Sequence, residues 1–170
     1  TVYLTDRQWT GGNKGLELLQ DAIHVSCVTI IGWKGLNIEG IRALQACELL
    51  RSVHLHDVDA DDTHLREMGK ISQLSELEVG GPYITDAGIA HLAALPNLTR
   101  VALNVAPQIT GNSLKCLASC PRLVALTLDY DTGIGDRDVA YLEPLGQLQE
   151  LTLQGNFTPA AIDHLVRLKQ

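Results

Sequence analysis

The stretch Leu74–Leu98, LSELEVGGPYITDAGIAHLAALPNL, decides the fold of this 170-residue chain, because its spacing of apolar residues recurs before and after it. One cycle has the apolar pattern of a short strand, an inward turn and a helix, at positions Leu74, Leu77, Val79, Ile84, Ile89, Leu92 and Leu95. Self-similarity at a period of about 20 to 30 residues indicates a solenoid, in which each unit buries its apolar side against the next.

Each position of this cycle predicts one apolar layer along the whole solenoid. The layer at the helices consists of Leu16, Ile41, Leu65, Ile89, Leu114, Val139 and Ile162. The layer that opens each cycle consists of Val25, Leu50, Leu74, Leu98, Leu123 and Leu148. Burial of a Leu or Ile side chain is worth about 1.5 to 3 kcal/mol. A single unit has no closed core, so this energy is gained only when neighbouring units stack.

The length and the pattern predict a single domain over residues 1–170. Residues 1–24 are expected to form an N-terminal cap or partial repeat, because the outer face of a terminal unit meets water. Residues 25–170 then contain six repeats of about 24–25 residues each.

Each predicted helix is preceded by a residue that could cap its N-terminus. Side-chain oxygens at such positions accept hydrogen bonds from the free N–H groups of the first helical turn. The candidate caps are Asn37, Asp61, Thr85, Thr110 and Thr158. Gly135 breaks this series, so we expect the helix after it to start later or to be looser.

Composition limits the classes of partner and the compartment. The formal charge of −7 argues against nucleic acid, whose phosphates are bound by clustered Lys and Arg, and favours a protein partner. No apolar run of about 18 residues is present, which excludes a membrane span by this criterion. Four cysteines are too few for a disulfide scaffold, which favours a reducing, intracellular compartment, with the cytoplasm preferred. The chain starts at Thr1, so we expect a processed or trimmed product from which any targeting segment is missing.

The segments ITDAGIAHLAALPNL (84–98) and ITGNSLKCLASCPRL (109–123) resemble the cysteine-containing class of leucine-rich repeats, found in F-box substrate receptors and bacterial repeat proteins. The resemblance implies an α/β fold: a right-handed solenoid with a parallel sheet on the concave side and helices on the convex side. It also implies a concave face that binds protein. Members serve as ubiquitin-ligase receptors, assembly factors and scaffolds, so the resemblance does not select one function.

Two features depart from this class of repeats. The Asn or Cys that usually follows each strand is replaced at all but one of the equivalent positions, which are Trp33, Val58, Pro82, Ala106, Asp131 and Asn156. No F-box is present, so the reading as a ligase receptor fragment requires that this segment has been lost.

Side chains that alternate with the buried strand residues should point out of the concave face. The predicted partner-binding residues are His54, His56, Glu76, Glu78, Arg100, Asn104, Thr127, Asp129, Tyr130 and Thr152. Tyr130 and Trp33 lie at the margin of this face, where they are equally compatible with anchoring a partner and with being ordinary surface residues.

The two histidines of this face lie opposite Glu76 and Glu78 on the next predicted strand, at a strand spacing of about 4.8 Å. Two imidazoles and a carboxylate could ligate a metal. A cross-strand charge pair is the favoured interpretation, because such proximity of His and Glu is far commoner than ligation. We therefore predict neither a metal nor another cofactor.

No catalytic motif is present in the sequence, and Cys27, the only cysteine predicted on the concave face, has no histidine in its own strand to act as a base. The sequence predicts a noncatalytic protein–protein interaction module. The alternatives are a structural or assembly subunit of a larger complex, or a ubiquitin-ligase substrate-recognition fragment. No polar capping repeat follows Leu168, so we expect a further chain or subunit to cover the C-terminal repeat.

Overall fold

Strands and helices alternate along the chain in the computed structural model, which describes residues 1–5, 9–22, 24–129 and 132–166. The strands are β1 Val2–Thr5, β2 Cys27–Ile31, β3 Ser52–His56, β4 Glu76–Gly80, β5 Arg100–Asn104, β6 Ala125–Leu128 and β7 Glu150–Leu153. The α-helices are α1 Gly12–Gly15, α2 Ile38–Gln45, α3 Asp62–Met68, α4 Asp86–Ala90, α5 Gly111–Leu117 and α6 Pro159–Leu165. Segments of 3-10 helix span Leu16–Asp21, Leu92–Ala94 and Asp136–Leu142.

All seven strands form one parallel sheet in the order of the sequence, β1 to β7. Parallel strands require a crossover connection, and here each crossover carries a helix. Helices of neighbouring coils pack against one another, as α2 does with α3 and α4 with α5, which places them together on one side of the sheet. The predicted α/β solenoid is therefore confirmed. No helix in the described ranges combines the length and apolarity needed to cross a bilayer.

The predicted apolar layers form the core between the sheet and the helices. Every residue of the layer that opens the cycles is buried, from Val25 to Leu148. The helical layer is buried from Leu16 to Val139, but Ile162 in α6 is 56% exposed. Its position in the pattern is regular, but no further coil packs on α6 in the described part of the chain. This exposure agrees with the expectation that the last repeat presents apolar surface unless a further chain or subunit covers it.

All the predicted capping residues accept hydrogen bonds from the first turn of their helices. Asp61 accepts from the N–H groups of Thr63 and His64, at 2.9 and 3.1 Å. Gly135 has no side chain to do this, and the segment that follows is a 3-10 helix instead of an α-helix. The expectation of a looser helix at this point is confirmed.

A second set of hydrogen bonds, which no pattern in the sequence predicted, ties the caps Thr85, Thr110 and Thr158 to the coil before each of them. Asp62 accepts from the backbone N–H of Thr85 at 2.8 Å and from its hydroxyl at 2.6 Å. Asp86 binds Thr110 with the same two distances, and Asp136 accepts the same pair of bonds from Thr158. These carboxylates accept from backbone N–H and hydroxyl groups between coils, so these polar groups are satisfied without an Asn or Cys after the strand.

Candidate functional site: the concave face

Three rows of side chains run across the concave face, because alternate residues of each strand point to the same side. The first row contains Cys27, Ser52, Glu76, Arg100, Ala125 and Glu150. The second row contains Tyr3, Thr29, His54, Glu78, Ala102, Thr127 and Thr152. The third row contains Thr5, Ile31, His56, Gly80 and Asn104.

The structure places most of the predicted binding residues in these rows. Asp129 directly follows β6, and its backbone N–H continues the ladder by donating to the oxygen of Leu103 at 3.0 Å. The predicted site residue Tyr130 lies outside the described residues. Trp33, the other predicted aromatic at the margin, is half-buried and packs against the core. Whether these residues bind a partner stays a prediction.

Glu76 joins β3 to β4 at the start of both strands. The hydroxyl of Ser52 donates to Glu76 Oε2 at 3.0 Å. His54 Nε2 lies 3.7 Å from Glu76 Oε1, and on its other side His54 Nδ1 lies 3.4 Å from the hydroxyl of Thr29. His54 thus contacts the carboxylate diagonally across the sheet and not Glu78, its direct neighbour in the second row.

Glu78 makes the equivalent diagonal contact one step further along the strands. The Asn104 side-chain amide donates to Glu78 Oε1 at 2.8 Å, and His56 Nδ1 lies 3.6 Å from the same oxygen. The two histidines therefore lie opposite Glu76 and Glu78, as predicted. The pairs are staggered along the strands, His54 with Glu76 and His56 with Glu78. Each His–Glu contact becomes an ion pair only when the imidazole is protonated.

Arg100 and Glu150 form the longest bridge on this face. The guanidinium donates to both carboxylate oxygens, Nη1 to Oε2 at 2.7 Å and Nη2 to Oε1 at 3.1 Å. The pair reaches across β6, where the row position between them holds the small, buried residue Ala125. This bidentate contact raises the pKa of Arg100 and lowers the pKa of Glu150. Both side chains are largely exposed, so the bridge orients the face and adds little stability.

The described residues contain no group of three or more His, Cys, Asp or Glu side chains that could hold a metal ion. All four cysteines are free thiols. Cys120 lies in the core as expected, where burial, followed by the charge of Cys116, raises its pKa to about 11. Such a thiol is a poor nucleophile, because the thiolate is the reactive form. A reducing compartment stays a prediction.

A cavity of about 250 Å³ opens at the end of β3 and β4, and the sequence analysis did not anticipate it. Its lining consists of Lys34, Leu55, His56, Asp57, Val58, Gly80, Gly81, Pro82, Asn104 and Val105. We call it the Gly80 pocket. The signal in the sequence was Gly80 itself, the position of the third row that carries no side chain between His56 and Asn104.

A parallel sheet of strands in sequence order, with a helical segment in each crossover and an apolar layer at each position of the cycle, is the architecture of the leucine-rich repeat fold. No protein-family model matches the sequence. Solved structures do resemble it in fold. An internalin from Listeria monocytogenes superposes with a TM-score of 0.56 and 18% sequence identity, over 90% of this chain and 54% of the internalin chain.

The second neighbour is TLR13, solved in a complex with a single-stranded RNA. It superposes with a TM-score of 0.59 and 15% identity, over 97% of this chain and 27% of the TLR13 chain. The chain therefore spans about half of the internalin and about a quarter of TLR13. At these identities the likeness shows the leucine-rich repeat fold alone, and membership of the cysteine-containing class stays a prediction.

Proposed function

We propose that this chain is a noncatalytic binding module that takes a protein partner on its concave face. The observation that carries the proposal is the largely polar surface made by the first two rows from β3 to β7, in which Ala102 and Ala125 are the apolar members. It consists of residues from separate strands that point to the same side, which is the arrangement by which a solenoid presents an extended binding surface.

The polar groups on this surface are already oriented by one another. Glu76 accepts from Ser52, Glu78 accepts from Asn104, and Arg100 is held by Glu150. Side chains that are fixed before binding lose less conformational entropy when a partner arrives. Arg in particular is enriched among the residues that contribute most to protein–protein affinity.

The charge of the face favours protein over nucleic acid as partner. Glu76, Glu78 and Glu150 project from the strands of this surface, and Arg100 is the one arginine in its rows. Nucleic-acid binding needs clustered cations to neutralise phosphates. RNA binding is a property of the TLR13 complex. The negative charge of this chain gives no reason to propose RNA as its partner.

A triple variant tests the concave face directly. Replacement of Glu76, Arg100 and Asp129 together by Ala should abolish retention of the partner by the immobilised chain, measured by quantitative mass spectrometry of the captured proteins. The control replaces Glu39, Arg137 and Asp163, exposed residues of the helical side, which gives the same change in net charge. Matched circular dichroism spectra would establish that both variants fold.

Equal retention by the two variants would contradict the proposal. Capture should also survive an excess of single-stranded RNA, since an RNA-mediated contact would be displaced. Loss of the captured proteins in that competition would contradict the choice of protein as the direct partner.

An assembly subunit is the second candidate, and the exposed apolar residues of the last coil favour it. Ile162 is 56% exposed and Val166 is 76% exposed. Exposed apolar surface of this kind is typical of contact regions. A monomeric mass in size-exclusion chromatography with light scattering, over the micromolar range, would argue against self-association through this end. An oligomer that Ile162→Asp converts to a monomer would support it.

A further inference from the structure

The Gly80 pocket exists because β3 and β4 separate one residue early. β2 pairs with β3 as far as His56, and β4 pairs with β5 as far as Gly80 and Asn104. Between β3 and β4 the pairing stops at Leu55 and Val79. The third row is therefore interrupted between His56 and Gly80, on the concave side of the sheet.

Two glycines allow a close approach of the backbone beside this interruption. A Cβ on Gly80 would overlap the backbone oxygen of Asn104, and a Cβ on Gly81 would lie 2.6 Å from the backbone oxygen of Ala60. The chain approaches its neighbours too closely at both positions for any side chain. The cavity lies beside this close approach, at the ends of the strands.

The lining of the Gly80 pocket combines apolar residues with the polar or charged residues Lys34, His56, Asp57 and Asn104. Leu55, Val58, Pro82 and Val105 supply hydrocarbon, together with the two glycines. The charged members of the lining already pair with each other, since Lys34 Nζ lies 2.7 Å from Asp57 Oδ1. A charged ligand group would therefore meet no unpaired charge of the opposite sign in the lining and would lose its hydration.

Val105 forms one wall in an unfavourable backbone conformation. Its φ is 47°, and a β-branched residue in this left-handed region is an outlier in folded proteins. Asp57, which follows β3 as Val105 follows β5, has a φ of 51°, but Asp tolerates this region better. Strained residues of this kind concentrate at binding sites. Val105 is also 52% exposed, so its side chain contributes surface that the core does not use.

From this geometry we propose that the Gly80 pocket is an anchor site that binds one aliphatic side chain of the protein partner. The cavity, at about 250 Å³, is smaller than the roughly 300 to 1,000 Å³ typical of small-molecule sites. Anchor residues that fill a single pocket dominate many protein interfaces. The identity of the occupant as part of a protein rests on the function proposed above.

The polar groups of the lining suit a peptide backbone next to such an anchor. The amide nitrogen of Asn104 is committed to Glu78, which leaves its oxygen to accept a hydrogen bond from the partner's main chain. Tyr83 is exposed beside Pro82 and extends the apolar surface beyond the pocket. The anchor site thus connects the concave face to the edge of the sheet at which the strands end.

The test uses N-acetyl-leucinamide as the probe and ¹⁵N–¹H correlation spectra of the whole chain as the readout. We expect saturable shifts confined to the amides of Leu55, His56, Gly80, Gly81 and Val105. N-acetyl-lysinamide and N-acetyl-glutamamide, which carry polar or charged side chains, should produce no such shifts. Shifts of equal size with all three probes, or none with leucinamide, would overturn the proposal.

Val105→Gly removes the apolar wall and also relieves the unfavourable backbone conformation. The variant should therefore stay folded while its binding is weakened. We expect the affinity for leucinamide to fall about tenfold, as for loss of a few methyl or methylene contacts in an apolar pocket. The melting temperature should stay the same or rise. A simultaneous fall in melting temperature and affinity would indicate a purely structural role and contradict the inference.

Asp57→Asn is the matched control, because Asn also tolerates the left-handed conformation while the charge is removed. It should leave the affinity for leucinamide unchanged, and a loss comparable to that of Val105→Gly would contradict an apolar anchor. The concave-face triple variant separates this inference from the proposed function. If the triple variant loses the partner and Val105→Gly retains it, the proposed anchor site is contradicted while the proposed concave face is supported. Retention that is lost in Val105→Gly but normal in the triple variant contradicts the proposed face and supports the pocket.

Discussion

Ile89 and Ile162 occupy the same position of the repeat, yet one is fully buried and the other is 56% exposed. Ile89 lies in α4, between the coils that contain α3 and α5, whereas Ile162 lies in α6, the last helix of the described chain. The residue, the helix and the cap before the helix are alike in the two places. The difference comes only from the number of neighbouring coils.

The carboxylate that links to the last coil, Asp136, accepts fewer hydrogen bonds from the next coil than Asp86 does in the middle of the chain. In the middle of the chain, Asp86 accepts from the backbone and the side chains of both Thr110 and Ser113. Near the end, Asp136 accepts from the backbone and the side chain of Thr158, and His164 Nδ1 lies 3.9 Å from Glu143 Oε1. In a solenoid, stability is a sum over units and their interfaces. In the described residues the last coil packs against a neighbour on one side only. It therefore has one stabilising interface, whereas a middle coil has two.

The largest expected effect comes from truncating the two isoleucines. Ile89→Ala should lower the free energy of unfolding by about 3 kcal/mol, because it removes buried methyl groups and leaves a cavity. Ile162→Ala should cost about 0.5 kcal/mol or less, since water already reaches the side chain. Urea denaturation followed by circular dichroism measures both. Equal losses would show that α6 is buried in solution.

The next effect concerns the carboxylates between coils. Asp86→Ala should destabilise the chain by about 2 kcal/mol, because it leaves the Thr110 N–H and the Ser113 hydroxyl without their acceptor. Burial raises the pKa of Asp86, but the hydrogen bonds from Ser113 and Thr110 outweigh this and lower it. Asp136→Ala is the matched variant at the last coil, and its loss of stability in the same urea assay should be smaller. The reverse order would contradict the idea that the number of hydrogen bonds a carboxylate accepts from the next coil sets the strength of that link.

Periodic features of the fold could be predicted from the sequence. The layers that include Leu65 and Leu114, and the caps at Asn37 and Thr85, depend on residues a fixed distance apart in the chain. The outward positions of the strands, such as Glu76 and Arg100, follow from the two-residue period of a strand. Each of these rules needs only one coil and its immediate spacing.

Features that depend on how two coils meet could not be predicted in this way. The pairing of Arg100 with Glu150 skips a strand and requires a small residue at Ala125 between them. The Gly80 pocket requires the early separation of β3 from β4, which no local pattern records. The exposure of Ile162 depends on the absence of a neighbouring coil in the described residues, and the regular sequence pattern continues through it.

Glu67 is the clearest example of a contact between two coils that no local pattern predicts. Its replacement is expected to change the free energy of unfolding least among the buried sites discussed. Its buried carboxylate accepts from Lys70 Nζ at 2.7 Å, from Arg42 Nε at 3.3 Å and from the side-chain amide of Gln45 at 3.2 Å. The hydrogen bonds from Lys70 and Arg42 lower its pKa to about 2, against the opposing effect of burial. These contacts fasten α3 to α2 on the helical side of the middle coils.

Because its folded-state pKa lies below the unfolded value of 4.5, Glu67 stabilises the fold above about pH 4.5 and loses this contribution as the pH falls toward 2. Glu67→Gln should lower the free energy of unfolding by about 1 kcal/mol at pH 7, a modest value because the cationic partners are half exposed. The difference between variant and wild type should shrink between pH 4.5 and 2 in urea titrations. Glu48→Gln, at an exposed position, should show no difference at either pH. A difference for Glu67→Gln that stays constant down to pH 2 would mean that its carboxylate is not held ionised by Lys70 and Arg42.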